Sequence, residues 1–179
     1  MKKIIIIPIL ALICYLFSAQ YSLHQIHKGI YYNNQTLIKS YVEWNQLREN
    51  FKNYFNQQLL KETQKNEDFQ KLGKLGYLVS GFAGKIIDNL LDTYLNPEGI
   101  SILLEKNKKI KEMPEPNFNT LILGINIIDF TGHSSFIVKH KIKNQEISVF
   151  FQRFGLVWKI NKIQFPDNFF KEFKKSNLK

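Results

Sequence analysis

The chain opens with a long apolar run behind two cations. Lys2 and Lys3 precede fourteen residues, 4–17, in which Pro8 is the one departure from large or small apolar side chains. A signal-peptide core takes about 7 to 15 apolar residues, and a membrane-spanning helix takes about 20. Length alone slightly favours a signal, so residues 1–20 are predicted to be a signal peptide or a signal anchor.

The residues around the expected cleavage point favour an anchor that stays attached. Signal peptidase requires small side chains at positions −3 and −1. Cutting after Ala19 places Phe17 at −3, and cutting after Ser18 places Leu16 there. We therefore expect an uncleaved anchor. A cleaved export signal is the first alternative, and a buried helix of a soluble protein is the second.

The two N-terminal lysines predict the side of the membrane. Cationic residues that precede an apolar helix favour the cytoplasmic side. We therefore expect an inner-membrane anchor with the domain on the periplasmic side. The alternative is secretion into the periplasm after cleavage. In either case the membrane is the first partner, contacted through the N-terminal segment.

Beyond residue 20, apolar positions recur with the period of a helix. Leu23, Ile26 and Ile30 are spaced by three and four residues, which extends the first helix to about Tyr32. Similar stripes continue to residue 105. Residues 21–105 are therefore predicted to form the helical part of the domain, with three to five helices.

Asparagines and polar residues mark the predicted ends of these helices. Asn33-Asn34 breaks the first helix, and Asn34 is placed to cap the next one. Asn96 precedes Pro97, which fits a cap followed by proline in the first helical turn. The polar residues 61–70 predict a loop.

The pattern changes after a linker that is rich in lysine and proline, residues 106–117. From there to residue 166 apolar positions recur with a period near two, which predicts strands. The first predicted strand contains the alternating residues Leu121, Leu123, Ile125 and Ile127. Consecutive strands joined by short turns pair antiparallel. The prediction is an α+β fold in one domain, 21–170, with a curved meander of about four strands over 118–166 and a basic tail over 171–179.

Charge and cysteine content exclude several function classes. The net charge is +10, but the lysines are dispersed and the two arginines, Arg48 and Arg153, belong to no nucleic-acid motif. We expect no nucleic acid as a partner. A basic surface resting on anionic lipid stays open, and it would gather these lysines on one face beside the anchor: Lys106, Lys108, Lys109, Lys111, Lys139 and Lys141. Cys14 is the single cysteine, so a disulfide within the chain and a cysteine-based metal site in the domain are excluded.

Four residues are weak candidates for a ligand pocket. Asp129 and His133 lie close in sequence beside Gly132, and a carboxylate next to an imidazole can act as a base pair. Both residues fall in the predicted turn between two strands, and an aspartate in a turn more commonly bonds its own backbone. Trp158 and Trp44 are expected to fill the core, with ligand stacking as the less favoured role. No catalytic, cofactor or metal residue is predicted.

Two segments of the chain resemble a known family. The first contains Tyr-Ser-Leu-His-Gln-Ile at 21–26, Tyr-Val-Glu-Trp at 41–44 and Leu-Arg-Glu-Asn-Phe-Lys at 47–52. The second contains Phe-Phe-Gln-Arg-Phe-Gly-Leu-Val-Trp-Lys-Ile at 150–160 and Ile-Gln-Phe-Pro at 163–166. Over about residues 20–166 the chain is similar to the bacterial domain of unknown function 2939 (DUF2939). These are packing and turn motifs, and the family implies no activity.

A fold-level analogy adds a second expectation. The order of helices followed by a sheet that ends in a Gly-x-Trp-Lys-like strand resembles nuclear-transport-factor-2-like domains, which enclose an open pocket. Analogy of fold does not by itself give a function. The expected function is a non-catalytic binding domain, tethered to or exported across the membrane, for an envelope protein or an apolar ligand. The alternatives are a small enzyme that uses Asp129 and His133, and a basic module on anionic lipid.

Overall fold

Helices occupy the first part of the chain and an antiparallel sheet the last. The computed structural model describes residues 2–65, 74–106, 110, 112–142 and 145–166. Its helices are α1 (Lys2–Tyr31), α2 (Gln35–Ser40), α3 (Trp44–Lys65), α4 (Lys74–Tyr94), α5 (Pro97–Lys106) and α6 (Phe118–Leu123), which a 3-10 turn (Gly124–Ile127) continues. The strands are β1 (Ile128–Gly132), β2 (Ser135–Ile142), β3 (Gln145–Phe154) and β4 (Val157–Gln164). The predicted α+β class is confirmed.

The four strands form a simple meander in the order β1-β2-β3-β4, with every neighbouring pair antiparallel. Phe136 pairs with Phe151, which in turn pairs with Ile160, so these side chains share one face of the sheet. The β3–β4 connection is a two-residue turn. Gly155 begins it with a φ of 65°, the left-handed conformation that a type II′ hairpin turn requires of its first residue.

Of the asparagines predicted as helix caps, Asn34 and Asn96 are confirmed, whereas Asn45 lies inside α3, which already begins at Trp44. Asn33 ends α1 in a left-handed conformation, with φ 48°, and the Asn34 side chain accepts a 3.1 Å hydrogen bond from the Leu37 amide at the start of α2. Asn96 accepts a 2.7 Å bond from the Gly99 amide at the start of α5. Each bond satisfies a donor that an uncapped helix start leaves free.

The predicted strand that contains Leu121 is wrong, because residues 118–127 form α6 and its 3-10 extension. The reason is a capping box that the period of the apolar residues does not reveal. The Asn117 side chain accepts a bond from the Thr120 amide, and the Thr120 hydroxyl accepts one from the Asn117 amide. The sheet therefore starts at Ile128, ten residues later than predicted.

The predicted loop over 61–70 is wrong in its first half. Helix α3 continues through Lys65, and residues 66–70 lie outside the described residues. Long polar side chains such as lysine, glutamate and glutamine favour helix nearly as well as apolar ones. The helix therefore continues through Lys65 although its last residues carry no apolar stripe.

Two hydrophobic clusters hold the helices and the sheet together. The first lies between α1 and the sheet and consists of Ala19, Ile26, Phe136, Phe151 and Trp158. The second lies among α2, α3, α4 and the residues just after α2 and α4. It consists of Ile38, Val42, Leu47, Leu91 and Leu95. Ile160 on β4 packs against both clusters. Strand β4 is thus the element through which the helical part and the sheet become one structure.

Replacing Phe136 with alanine is expected to destabilise the domain strongly. Phe136 is fully buried, and its ring stacks on Phe151 at a centroid distance of 4.4 Å. Removing a buried phenylalanine ring typically lowers the free energy of unfolding by about 3–5 kcal/mol. Urea unfolding of the full chain in mild detergent, followed by tryptophan fluorescence, measures this change.

Phe118→Ala is the matched control. Phe118 is 69% exposed, so its replacement should change the free energy of unfolding by no more than about 0.5 kcal/mol. Equal effects of the two substitutions would show that Phe136 does not contribute to the core as described.

Candidate functional site

Helix α1 divides into two halves with different surroundings. The apolar side chains of its first half are exposed, among them those of Ile7, Leu10, Leu12 and Ile13. Ala19 is fully buried, and Gln20, Ser22 and Ile26 are buried as well. By length and composition, residues Ile6–Tyr31 form a helix that is long and apolar enough to cross a membrane. Its second half nevertheless belongs to the core of the domain.

The predicted boundary after residue 20 falls inside this continuous helix. Tyr15 packs against the first cluster and Ala19 is part of it. The Gln20 side chain donates a hydrogen bond to the Leu121 carbonyl on α6. Gly124 lies so close that a Cβ atom there would meet the Gln20 amide nitrogen at 2.6 Å. Residues 15–20 of the predicted signal segment are therefore part of the folded domain.

Two serines of α1 bind the tryptophan of β4. The indole Nε1–H of Trp158 donates a 2.9 Å hydrogen bond to Ser18 Oγ, and its backbone amide donates a 3.2 Å bond to Ser22 Oγ. Ser18 and Ser22 are four residues apart and share one face of the helix with Ala19 nearby. Small side chains on this face allow β4 to approach the helix closely, and the buried indole has its donor satisfied.

Four residues form what we call the exit cluster, at the point where α1 leaves the domain: Tyr15, Phe130, Arg153 and Trp158. The Tyr15 ring lies edge-on to Trp158 at 5.5 Å and 5.9 Å from Phe130. The Arg153 guanidinium lies 5.3 Å from the centre of the Tyr15 ring, within the range of a cation–π interaction.

The exit cluster also holds two strand connections. The Tyr15 hydroxyl donates a 2.6 Å hydrogen bond to the His133 carbonyl in the β1–β2 turn. Arg153 Nε donates a 2.8 Å bond to the Gly155 carbonyl in the β3–β4 turn. Both turns therefore flank the helix at the level where its exposed half begins.

The structure does not bring Asp129 and His133 together as a catalytic pair. Phe130 pairs with Phe136 on the face that α1 covers, so the neighbouring Asp129 points to the opposite face. Both side chains are exposed, and no hydrogen bond joins them in the described part of the chain. The contribution of His133 to the exit cluster comes from its backbone carbonyl. Within the described ranges, no group of three acidic, histidine or cysteine side chains is placed to hold a metal ion.

The two tryptophans occupy different clusters. Trp158 has no exposed surface and lies in the first cluster. Trp44 begins α3 and is half-buried against the second cluster, and its indole Nε1–H is buried with no partner among the described atoms. The two rings therefore do not share a ligand pocket.

An open groove lies between α3 and the end of β4. Its volume is about 230 Å³. Its walls are rich in amide side chains, namely Asn50, Asn53, Gln57, Gln58 and Gln164. Amides both donate and accept hydrogen bonds. This groove therefore suits a polar ligand better than the apolar ligand expected from the sequence.

The described lysines of the predicted lipid-binding face lie away from the exit cluster. Lys106 ends α5, whose Ser101 bonds Asn33 beyond the far end of α1. Lys139 and Lys141 follow Ser135 on β2 at about 3.3 Å per residue, so they lie roughly 13 and 20 Å beyond the β1–β2 turn. The other lysines of that set, at positions 108, 109 and 111, lie outside the described residues.

These features define an α+β domain that is built on an N-terminal helix of membrane-spanning length and composition. The chain belongs to the family described as protein of unknown function DUF2939, which matches residues 9–103. The matched segment runs from the exposed half of α1 into α5 and ends before the sheet. Neither the curated proteins nor the solved structures contain a match to the chain. The analogy to nuclear-transport-factor-2-like domains therefore stays a prediction.

The sequence reasoning missed Tyr15, Ser18, Ser22 and Arg153 as members of the site. A signal was present in α1, because Ser18, Ala19 and Ser22 are small residues that follow a run of bulky ones. A lipid-facing helix has no need of such a stripe, whereas a helix that packs closely does. Arg153 carried no comparable signal, since its partner rings come from distant parts of the chain.

Replacing Ser18 with alanine is expected to lower stability although it removes a single oxygen atom. The Trp158 indole N–H would stay buried and lose its acceptor, which costs about 1–3 kcal/mol. Ser40→Ala is the matched control, because the Ser40 hydroxyl bonds an exposed carbonyl within α2. Its effect should stay within about 0.5 kcal/mol. Urea unfolding of both variants measures the difference, and equal stabilities would contradict the role of Ser18.

Proposed function

We propose that this chain is a membrane-anchored, non-catalytic interaction domain of the cell envelope whose anchor is never removed. The carrying observation is the continuity of α1, which is exposed and apolar before Tyr15 and has one face buried against the sheet after it. Lys2 and Lys3 support a cytoplasmic N-terminus, and with it a domain on the periplasmic side.

The packing of α1 supports retention of the anchor. Cleavage after Ser18 or Ala19 would take Tyr15 from the exit cluster and Ser18 from the Trp158 indole. Cleavage after Ala19 would also empty a fully buried position in the first cluster. A domain that lost these contacts would expose the Trp158 ring and leave its donor unpaired. Burial of a large aromatic contributes a few kcal/mol, a large share of a typical domain's stability.

A non-catalytic role is favoured by the use that the structure makes of its polar groups. The polar atoms around Trp158 are bonded to the fold itself, and Asp129 points away from the face that Trp158 occupies. The pair that the enzyme alternative names, Asp129 and His133, is therefore not assembled as a site. The lipid-surface alternative is disfavoured for Lys106, Lys139 and Lys141, because these three lysines lie far from the helix exit.

A protein partner is favoured over an apolar ligand. The groove between α3 and β4 presents amides from both elements, and Lys162 also lines it. Such side chains match the peptide groups and acidic side chains of a protein surface. The proposal is therefore that the anchor holds the domain at the membrane, while this groove, at the end of β4 away from the helix exit, meets a polar segment of an envelope protein.

Two truncations test whether the anchor helix is part of the fold. A chain of residues 15–179 loses exposed apolar residues but keeps Tyr15, Ser18 and Ala19. A chain of residues 20–179 lacks all three. We expect the longer chain to unfold cooperatively in urea with its Trp158 fluorescence intact, and the shorter chain to be unfolded or destabilised by several kcal/mol, as expected for loss of core contacts.

Mass spectrometry of the full chain tests retention directly. The protein recovered from the membrane fraction of expressing cells should carry its complete N-terminus. A soluble, cooperatively folded product that starts near Gln20 would contradict both the retained anchor and the structural role of residues 15–19.

A further inference from the structure

We propose that the end of the domain at the exit cluster is seated in the bilayer interface, with Leu156 inserted among the lipid headgroups. This inference rests on the proposed membrane anchoring and adds a second contact to it. It assigns a lipid-binding role to the β3–β4 turn and fixes how closely the domain approaches the membrane.

The β3–β4 turn presents an apolar side chain where polar residues are usual. Leu156 is 81% exposed at the tip of the hairpin. Two-residue turns are dominated by glycine, asparagine and aspartate, and Gly155 fulfils that need alone. A single exposed leucine is common on protein surfaces, but its place beside the helix exit makes this one available for contact with lipid.

Contacts within the exit cluster place this turn beside the membrane helix. Arg153 donates a hydrogen bond to the Gly155 carbonyl and stacks on the Tyr15 ring. Tyr15 is the residue of α1 that follows its exposed half. In the other direction β4 leads away from the membrane. Its Ile160 amide donates a hydrogen bond to the Tyr41 carbonyl just after α2, the helix that follows the C-terminal end of α1. The tip therefore points toward the same side as the N-terminus of α1.

The length of the apolar segment draws the domain onto the membrane. Residues 4–14, which precede the exit cluster, span about 17 Å as an α-helix, whereas the hydrocarbon core of a bilayer is about 30 Å thick. The residues that follow cannot complete the span as a free helix, because Ala19, Ser22 and Ile26 are packed against the sheet. The shortfall of about 13 Å brings the exit cluster and the neighbouring turns to the level of the interface, together with local thinning of the bilayer.

The side chains at this level suit an interface between water and lipid. Phe17 and Tyr21 are about half exposed on α1, and Phe130 is partly exposed on β1. Aromatic side chains concentrate at membrane interfaces, and an arginine there can extend its charge toward the headgroups. Arg153 is the cation placed to do so. Lys159, the lysine next to Trp158, is paired with Glu43, and the attraction proposed here is therefore mainly apolar insertion.

A fluorescent label at position 156 tests the contact. The chain carries Cys14→Ser and Leu156→Cys, is labelled with an environment-sensitive dye, and is reconstituted in phosphatidylcholine vesicles with or without lipids that bear a nitroxide near the headgroup. Groups at the interface lie about 5–10 Å into the boundary, so the label at position 156 should lose clearly more of its emission to the nitroxide lipids than a label at the far end of the domain. Leu103→Cys is the matched control, since Leu103 is 44% exposed on α5 at the far end.

The native Cys14 separates the two proposals. Labelled in the unmodified sequence, this exposed cysteine of α1 reports whether the helix lies in the bilayer. Quenching at 14 and 156 but not at 103 supports the seated domain. Quenching at 14 with equal, weak quenching at 156 and 103 overturns it and leaves the anchor intact. No quenching at position 14 overturns the proposed anchoring, and the seated domain with it.

Discussion

The packing of Trp158 against two serines of α1 is the interaction on which the rest of the structure depends. It joins the last strand to the first helix across almost the whole chain, and it satisfies both the indole and the backbone donor of one residue. Through Ile160 the same strand reaches the second cluster. Buried polar groups that are fully bonded fix one arrangement of the core, because any alternative leaves a donor unpaired.

Under the proposed membrane anchoring, this interaction makes α1 a helix with lipid around its first half and the protein core around its second. Its first half carries bulky isoleucine and leucine side chains, for which lipid tails are as good a solvent as a protein core. Its second half carries the serines and the alanine that allow close approach of β4. A single helix that meets both demands fixes the domain rigidly relative to its anchor, without the linker that separates most anchors from the domains they carry. The exit cluster marks where one solvent replaces the other.

The sequence predicted those elements whose signals are local. Asn34 and Asn96 cap the helices that they precede, and the period of two predicted β2, β3 and β4. The prediction failed over 118–127, where the apolar residues of a short segment fit both the helix period and the strand period. There the Asn117–Thr120 capping box favours the helix. The site was harder, because Tyr15, Arg153 and the His133 carbonyl meet only through tertiary contacts. A boundary drawn where hydropathy falls could not show that the helix continues into the core.

Native-state hydrogen exchange of the full chain in lipid nanodiscs, measured at increasing urea concentrations, tests the account most directly. If α1 is an integral part of the domain, the amides of residues 18–26 and those of β3 will exchange with the same free energy of opening and the same urea dependence. Exchange of residues 18–26 at a clearly lower free energy, while β3 stays protected, would show a detachable helix and contradict the account.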